Sequence, residues 1–327
     1  MLVLVLFNLA IGSVSVPLSV FLHFFDAHTV DNETVWRHII LESRLPQTVT
    51  AIIAGASLGL AGLQMQTLFR NPLAGPSILG ISSGASLGVA LLTMGSGVSS
   101  LFLSSSLMDG IGIHIAAFAG AFLILFIVLL AAKRVRNNAS LLIIGIMVGY
   151  AVSSIIGLLN FVGQQGEVHA FVIWGLGSFA NVQNSQLLLF AILVLPALFL
   201  SLLLMKPMNA MLLGDAYAQN LGINLKQIRW QLILLSGFLT AIITAYTGPI
   251  AFIGLATPHL ARLLFKSSDH RQLIPAVILL GIVVALACNL LARLPLFQNV
   301  LPINVITSLF GAPLVIYLIV KQKQIGF

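Results

Sequence analysis

Charge is scarce in this chain. Asp, Glu, Lys and Arg make up 7% of its 327 residues against 59% apolar, and the mean hydropathy is +1.10. A soluble chain keeps its surface wet with roughly a quarter of its residues charged. The outer surface here must face lipid, and no stretch is polar enough for a separate soluble domain.

Other absences narrow the chemistry. Cys288 is the one cysteine, set in an apolar run; it excludes an intramolecular disulfide and reads as a small buried hydrophobe. There is no Gly-Lys pair, so the chain has no P-loop with which to hold ATP. His259 and His270 are too far apart for a zinc site of the HExxH kind, and the other histidines are scattered. No metal or cofactor is expected, and no paired catalytic residues share a depth in the membrane, so an enzyme is not expected either. The eight carboxylates all fall in loops or at span ends. A transporter coupled to protons or sodium commonly needs a carboxylate near the midplane. That lack weighs against the alternative, a stand-alone secondary transporter or channel. Energy, if used, must come from a partner.

The formal net charge is +7, but the basic residues come in ones, twos and threes between apolar runs. They form no basic face with aromatics, which speaks against nucleic acid and for membrane topology.

About twenty apolar residues cross a bilayer as a helix. Charged residues divide the sequence into about ten such spans, roughly 2–24, 47–67, 77–97, 112–132, 140–162, 186–205, 229–248, 252–266, 272–292 and 303–320. The expected fold is all-α, a polytopic membrane protein whose residues 1–327 form one transmembrane domain. The first span lacks the basic start and small-residue cleavage site of a signal peptide. It begins almost without a tail, as it would if a few natural residues preceded it. Gly248-Pro249 should end one helix and start a short one, because proline cannot donate a backbone hydrogen bond. The interval from Glu167 to Lys206 is too long for one span, so a short helix near 168–180 is expected before the crossing.

Ten spans with an inside N-terminus place Arg70, Lys133, Arg134, Arg136, Lys206, Lys226, Arg229, Arg262, Lys266, Arg271, Lys321 and Lys323 on one side. Only Arg37, Arg44 and Arg293 fall on the other. The positive-inside rule then puts both termini in the cytoplasm. Small residues recur at helical spacing, in Gly55 with Gly59, Gly80 with Gly84 and Gly88, and Gly145 with Gly149. Such faces allow close approach of helices, either as static packing or as an interface that rearranges.

Several local sequences are more specific. Arg44-Leu45-Pro46 opens the second span, and Asn71-Pro72-Leu73-Ala74-Gly75-Pro76 follows it, leading into Leu79-Gly80-Ile81-Ser82-Ser83-Gly84-Ala85. Later come Gly214-Asp215, Leu221-Gly222, Gly248-Pro249-Ile250-Ala251-Phe252-Ile253-Gly254-Leu255, Pro258-His259, Ala292-Arg293 and Gly311-Ala312-Pro313. In this order they resemble the permease subunits of ABC importers for iron–siderophores, haem and cobalamin, over nearly the whole chain.

The resemblance implies a subunit of the bacterial inner membrane that pairs with a second permease subunit, commonly a copy of itself. It also implies two cytoplasmic ABC ATPase subunits and an external substrate-binding protein, with surrounding lipid as the remaining partner. By position, the loop from about 208 to 222 becomes the ATPase-coupling element, with Met211, Leu212, Gly214, Asp215, Leu221 and Gly222. Read from the residues, Gly214 supplies a bend and Gly222 a helix stop. Arg44 and Arg293 fall where relatives meet glutamates of the binding protein. Gln47 replaces a basic residue of the family, so docking leans on fewer charges or on Arg37. Asn137 and Asn138 fall at the cytoplasmic gate, and as asparagines they serve equally as turn formers. Gly75 replaces a common acidic residue and keeps the turn. The stretch from Phe161 to Trp174, with Gln164, Gln165 and His169, faces outside, where it could touch cargo. Frequency in the family favours an iron–siderophore.

Overall fold

The computed structural model describes residues 1–12, 31–95, 111–135, 137–294 and 300–322, and those residues contain helices and no strand. Helix α1 is Leu2–Ala10, and α2 (Asp31–Ile39) runs through a π-helical turn, Ile40–Arg44, into α3 (Leu45–Phe69). There follow α4 (Ile81–Met94), α5 (Ile111–Arg134), α6 (Asn138–Val162) and the short α7 (Gln165–Gly175). The second half holds α8 (Asn184–Leu202), α9 (Met205–Leu212), α10 (Asp215–Asn220), α11 (Leu225–Thr247), α12 (Ile253–Phe265), α13 (His270–Ala292) and α14 (Ile303–Gln322). Among the described residues, six helical stretches are long and apolar enough to cross a membrane: Val35–Phe69, α5, α6, α8, α11 and α13. Three shorter apolar helices, α4, α12 and α14, accompany them. The second half of the first expected span, residues 96 and 97 of the third, and Asp26, Asp109, Arg136 and Lys323 lie outside the described residues.

Helix α3 is the axis of the bundle. It packs against α13, α11, α12 and α8, and its side chains from Thr48 to Leu68 are buried with the exceptions of Val49 and Ile52. The glycines explain how neighbours come so close. A Cβ on Gly55 would fall on the Gly281 carbonyl of α13, and one on Gly62 would fall on the Gly254 carbonyl of α12. The Gly84 face of α4 meets Gly120 of α5 in the same way, and Gly80 lies against Gly145 and Gly149 of α6. The small-residue faces read from the sequence are therefore contacts inside one chain.

The expected break is present. Helix α11 stops at Thr247, Gly248 takes φ 75°, and α12 starts at Ile253. Breaking a helix inside an apolar bundle frees backbone groups that must find partners. Asn304 supplies two of them: its Nδ2 donates to the Pro249 carbonyl at 2.6 Å and its Oδ1 accepts from the Ala251 N–H at 2.9 Å. The expected short helix near 168–180 is also there, as α7 and a 3-10 turn at Phe179–Asn181. Gln164 and Glu167 cap α7 reciprocally, and Trp174 is buried. That part of the Phe161–Trp174 stretch is structural, whereas Phe161 and His169 remain exposed.

Candidate functional site

Successive crossings alternate in direction and gather the loops into two ends. One end brings together the close of α3, α5 and α12, the start of α6, α11 and α13, and the pair α9–α10. Arg70, Lys133, Arg134, Lys206, Lys226, Arg229, Arg262, Lys266 and Arg271 all belong to it. The other end holds Arg37, Arg44 and Arg293.

At the basic end, α9 and α10 form a bent knob. Gly214 joins them with φ 107° and ψ 153°, a conformation that an L side chain would strain. Gly222, with φ 80°, ends α10. The Ile223 N–H reaches the Ala218 carbonyl at 3.1 Å and the Gly222 N–H reaches that of Gln219 at 2.9 Å, the paired bonds of a Schellman stop. Leu212, Leu213, Tyr217 and Leu221 are exposed on this knob, each by 46% or more. An apolar patch beside so many charges is unusual on a surface exposed to water. Leu213 and Tyr217 were missed from the sequence, because the break at Gly214 leaves no helical repeat to join them to Leu212 and Leu221.

Met211 departs from the expectation. Its side chain is 1% exposed and holds α9 to the bundle, so it cannot touch a partner directly. Asp215 also turns inward, pairing with Arg70 at the end of α3 and with Arg229 of α11. Arg70 donates in addition to the Met211 carbonyl at 3.1 Å. Beside this clamp lies a basic cavity of about 890 Å³, whose lining includes Lys133, Arg134, Asn137, Asn138, Lys226 and Arg229. Asn137 caps α6, accepting from the Ala139 N–H at 2.9 Å, and Asn138 donates to the Leu68 carbonyl at 2.6 Å. Both asparagines thus act in turn and tie geometry at the cavity wall.

At the opposite end the two arginines are not a rim. Arg44 is 2% and Arg293 7% exposed. Arg44 donates to the Leu9 and Ala10 carbonyls at 2.7 Å each, and Arg293 reaches the Asn8 carbonyl at 3.5 Å. Orphan carbonyls at the end of α1 attract cations, and that attraction draws both guanidinium groups inward. A Cβ on Gly12 would touch both of them. Gln47 is buried too, donating to Asn289, which in turn donates to Asn8. Position 47, where the family resemblance implied a basic residue, is here one link of an internal amide chain. At Gly75 a Cβ would meet Leu255 at 3.8 Å, so the turn has room for a larger residue and does not depend on glycine.

Comparison with known proteins agrees with this architecture. The model of the FecCD transport family matches residues 1–321. The hemin transport system permease protein HmuU of Yersinia pestis is 36% identical over 301 residues, covering 91% of this chain and 87% of that protein. The vitamin B12 import system permease protein BtuC of Klebsiella pneumoniae is 35% identical over 287 residues, covering 88% and 84%. A solved structure described as an inward-facing metal-chelate type ABC transporter superposes with a TM-score of 0.84 at 30% identity, over 98% of this chain and 96% of that one. The chain is a multi-pass membrane permease and belongs to the FecCD transport family.

Proposed function

We propose that this chain is the membrane subunit of an ATP-driven importer in a bacterial inner membrane, carrying a metal chelate inward. Two copies line the pathway, two ATPases attach at the basic end, and a binding protein delivers cargo at the other. Both termini then lie in the cytoplasm, as the distribution of lysine and arginine between the two ends supports. The observation that carries the reading is the exposed patch of Leu212, Leu213, Tyr217 and Leu221 on a knob stiffened by Asp215 and stopped by Gly222. A groove on an ATPase would cover that patch, and closure of the ATPase pair would push it.

An iron–siderophore is the cargo favoured by the family, with haem and cobalamin, named for the relatives, as the other members of the same chemical class. Asn137 and Asn138 sit where short polar side chains would narrow the cytoplasmic mouth. Arg44 and Arg293 meet a docked binding protein only after whatever covers them shifts; otherwise they anchor α1.

The test is to purify the tagged chain from its host in mild detergent. A Walker-motif ATPase recovered in equal amount, and ATP-dependent uptake once the binding protein is added, are the expected results. Leu213→Asp with Leu221→Asp should cut that recovery at least about tenfold, since unpaired buried carboxylates cost more than about 1.4 kcal/mol. Transport by the chain by itself in liposomes would sink the proposal.

A further inference from the structure

Along the chain the knob hangs between α8 and α11, but its polar ties lead elsewhere. Asn209 on α9 donates from Nδ2 to the Asp269 carboxylate, which fixes the orientation of its amide. Its Oδ1 then accepts from the His270 backbone N–H at 2.8 Å and faces His270 Nδ1 at 2.7 Å. An amide oxygen only accepts, so Nδ1 carries a proton. In the neutral ring Nε2 is then an acceptor, and Thr67 Oγ1, in the last turn of α3, lies 2.8 Å from it. The same hydroxyl lies 2.9 Å from the Leu63 carbonyl, but its single proton is the one that Nε2 needs. The result is a directed chain of hydrogen bonds, Thr67 to His270 to Asn209 to Asp269, joining α3, α13 and α9. Thr67 and His270 are 3% and 1% exposed, so breaking a link leaves an unmet polar group in a low-dielectric interior.

A second tie runs through Arg70, which holds both Asp215 and the Met211 carbonyl to the end of α3. By contrast, the covalent path from the knob passes through Gly214 and Gly222, where no side chain restrains the backbone. Glycine joints transmit displacement poorly, and buried side-chain ties transmit it well.

We propose that Thr67, His270 and Asn209 are positioning residues of the transport cycle, carrying displacement of the α9–α10 knob directly to α3 and α13. The inference rests on the reading of that knob as the ATPase contact. The experiment uses the full complex of permease, ATPase and binding protein in liposomes, with uptake per ATP hydrolysed as the readout. Thermal stability and ATPase stoichiometry are measured alongside. Thr67→Val keeps the shape and removes the hydroxyl. Uptake per ATP should fall about tenfold, equivalent to about 1.4 kcal/mol, with hydrolysis and ATPase recovery retained. Arg70→Gln should lower it about threefold, because that tie is partly exposed and screened by salt, and the deficit should shrink at high ionic strength.

Uptake and hydrolysis falling in step, or an unchanged ratio in Thr67→Val, would overturn the proposal. Should Thr67→Val not assemble, Asn209→Ala at a partly buried site gives the second reading. Failure of both to assemble would make the chain of hydrogen bonds a folding element only, which also overturns it. Failure of the unaltered permease to recover an ATPase would instead remove the reading of the knob, a result these variants do not touch.

Discussion

Helices α3 and α6 are the same length, 25 residues each, and differ in almost everything else. In the window that marks it as membrane-spanning, α3 is 89% buried at a mean hydropathy of 1.5, whereas α6 is 17% buried at 2.3. The more polar helix is the inner one. In water this order would be unstable, but in lipid there is no hydrophobic drive between helices, and small and polar residues build the contacts. Thr48 and Ser57 each bond back to a carbonyl four residues earlier on α3, which spends their hydroxyls inside the helix. The exposed residues of α6, among them Ile143, Met147, Tyr150 and Leu158, are apolar on the outside of the bundle, as suits a surface in lipid.

The largest expected effect breaks this contrast at glycine. Gly62 on α3 touches the Gly254 backbone, while Gly157 on α6 has nothing within 4 Å of an added Cβ. Gly62→Val should destabilise the protein by about 3 kcal/mol or more, since the backbone must move apart to admit it. Gly157→Val should change stability by less than about 0.5 kcal/mol. Thermal unfolding in detergent measures both, and equal losses would mean that α6 is as tightly enclosed as α3.

A smaller effect of opposite sign is expected at Gln64. This residue is fully buried in α3, and neither atom of its amide has a protein hydrogen-bond partner. Gln64→Met has nearly the same volume and removes the unmet polar groups, so it should raise stability by about 1 kcal/mol. Ser154→Ala on the exposed side of α6, where the hydroxyl only bonds back to Tyr150, should be neutral. A loss at Gln64→Met would show that a bound water or another group serves the amide, making the inside of α3 a hydrated path.

Part of the fold was legible in the sequence, though not this contrast. Among the described residues the six long apolar helices overlap spans expected from charge spacing. The break at Gly248-Pro249 followed from the missing proline N–H, and the stop at Gly222 from the nature of glycine. What was not legible depends on where another element ends. Arg44 and Arg293 read as a charged rim because the sequence does not reveal that the carbonyls of α1 finish beside them. Met211 and Leu212 are both apolar, and in a segment broken at Gly214 too few residues fix the helical phase that sends one inward and the other out. Asn209, Thr67 and His270 come from three distant parts of the chain, and no local pattern marks them as neighbours.

The smallest effect concerns the ends of the same two helices. The start of α6 is capped by its own Asn137, with no titratable group involved. The end of α3 is held through Thr67, His270 and Asn209 to Asp269. The Asp269 carboxylate sits below its usual range, chiefly because it accepts from the Arg271 backbone N–H and next because it accepts from Asn209. A carboxyl whose folded value is depressed contributes stability that is complete above its unfolded value and is lost as pH falls through the folded one. Between about pH 7.5 and 9 (a unit or more above ordinary imidazole and carboxylate values) Asp269 and His270 each keep one charge state, and the tie should therefore be constant. Below the ordinary carboxylate range, Asp269 should protonate and loosen α9 from α13. Amide hydrogen exchange, corrected for the intrinsic effect of pH, should then rise across α9 and not in the first turn of α6. A rise of the same size in both would mean general acid loosening and would remove Asp269 from the tie.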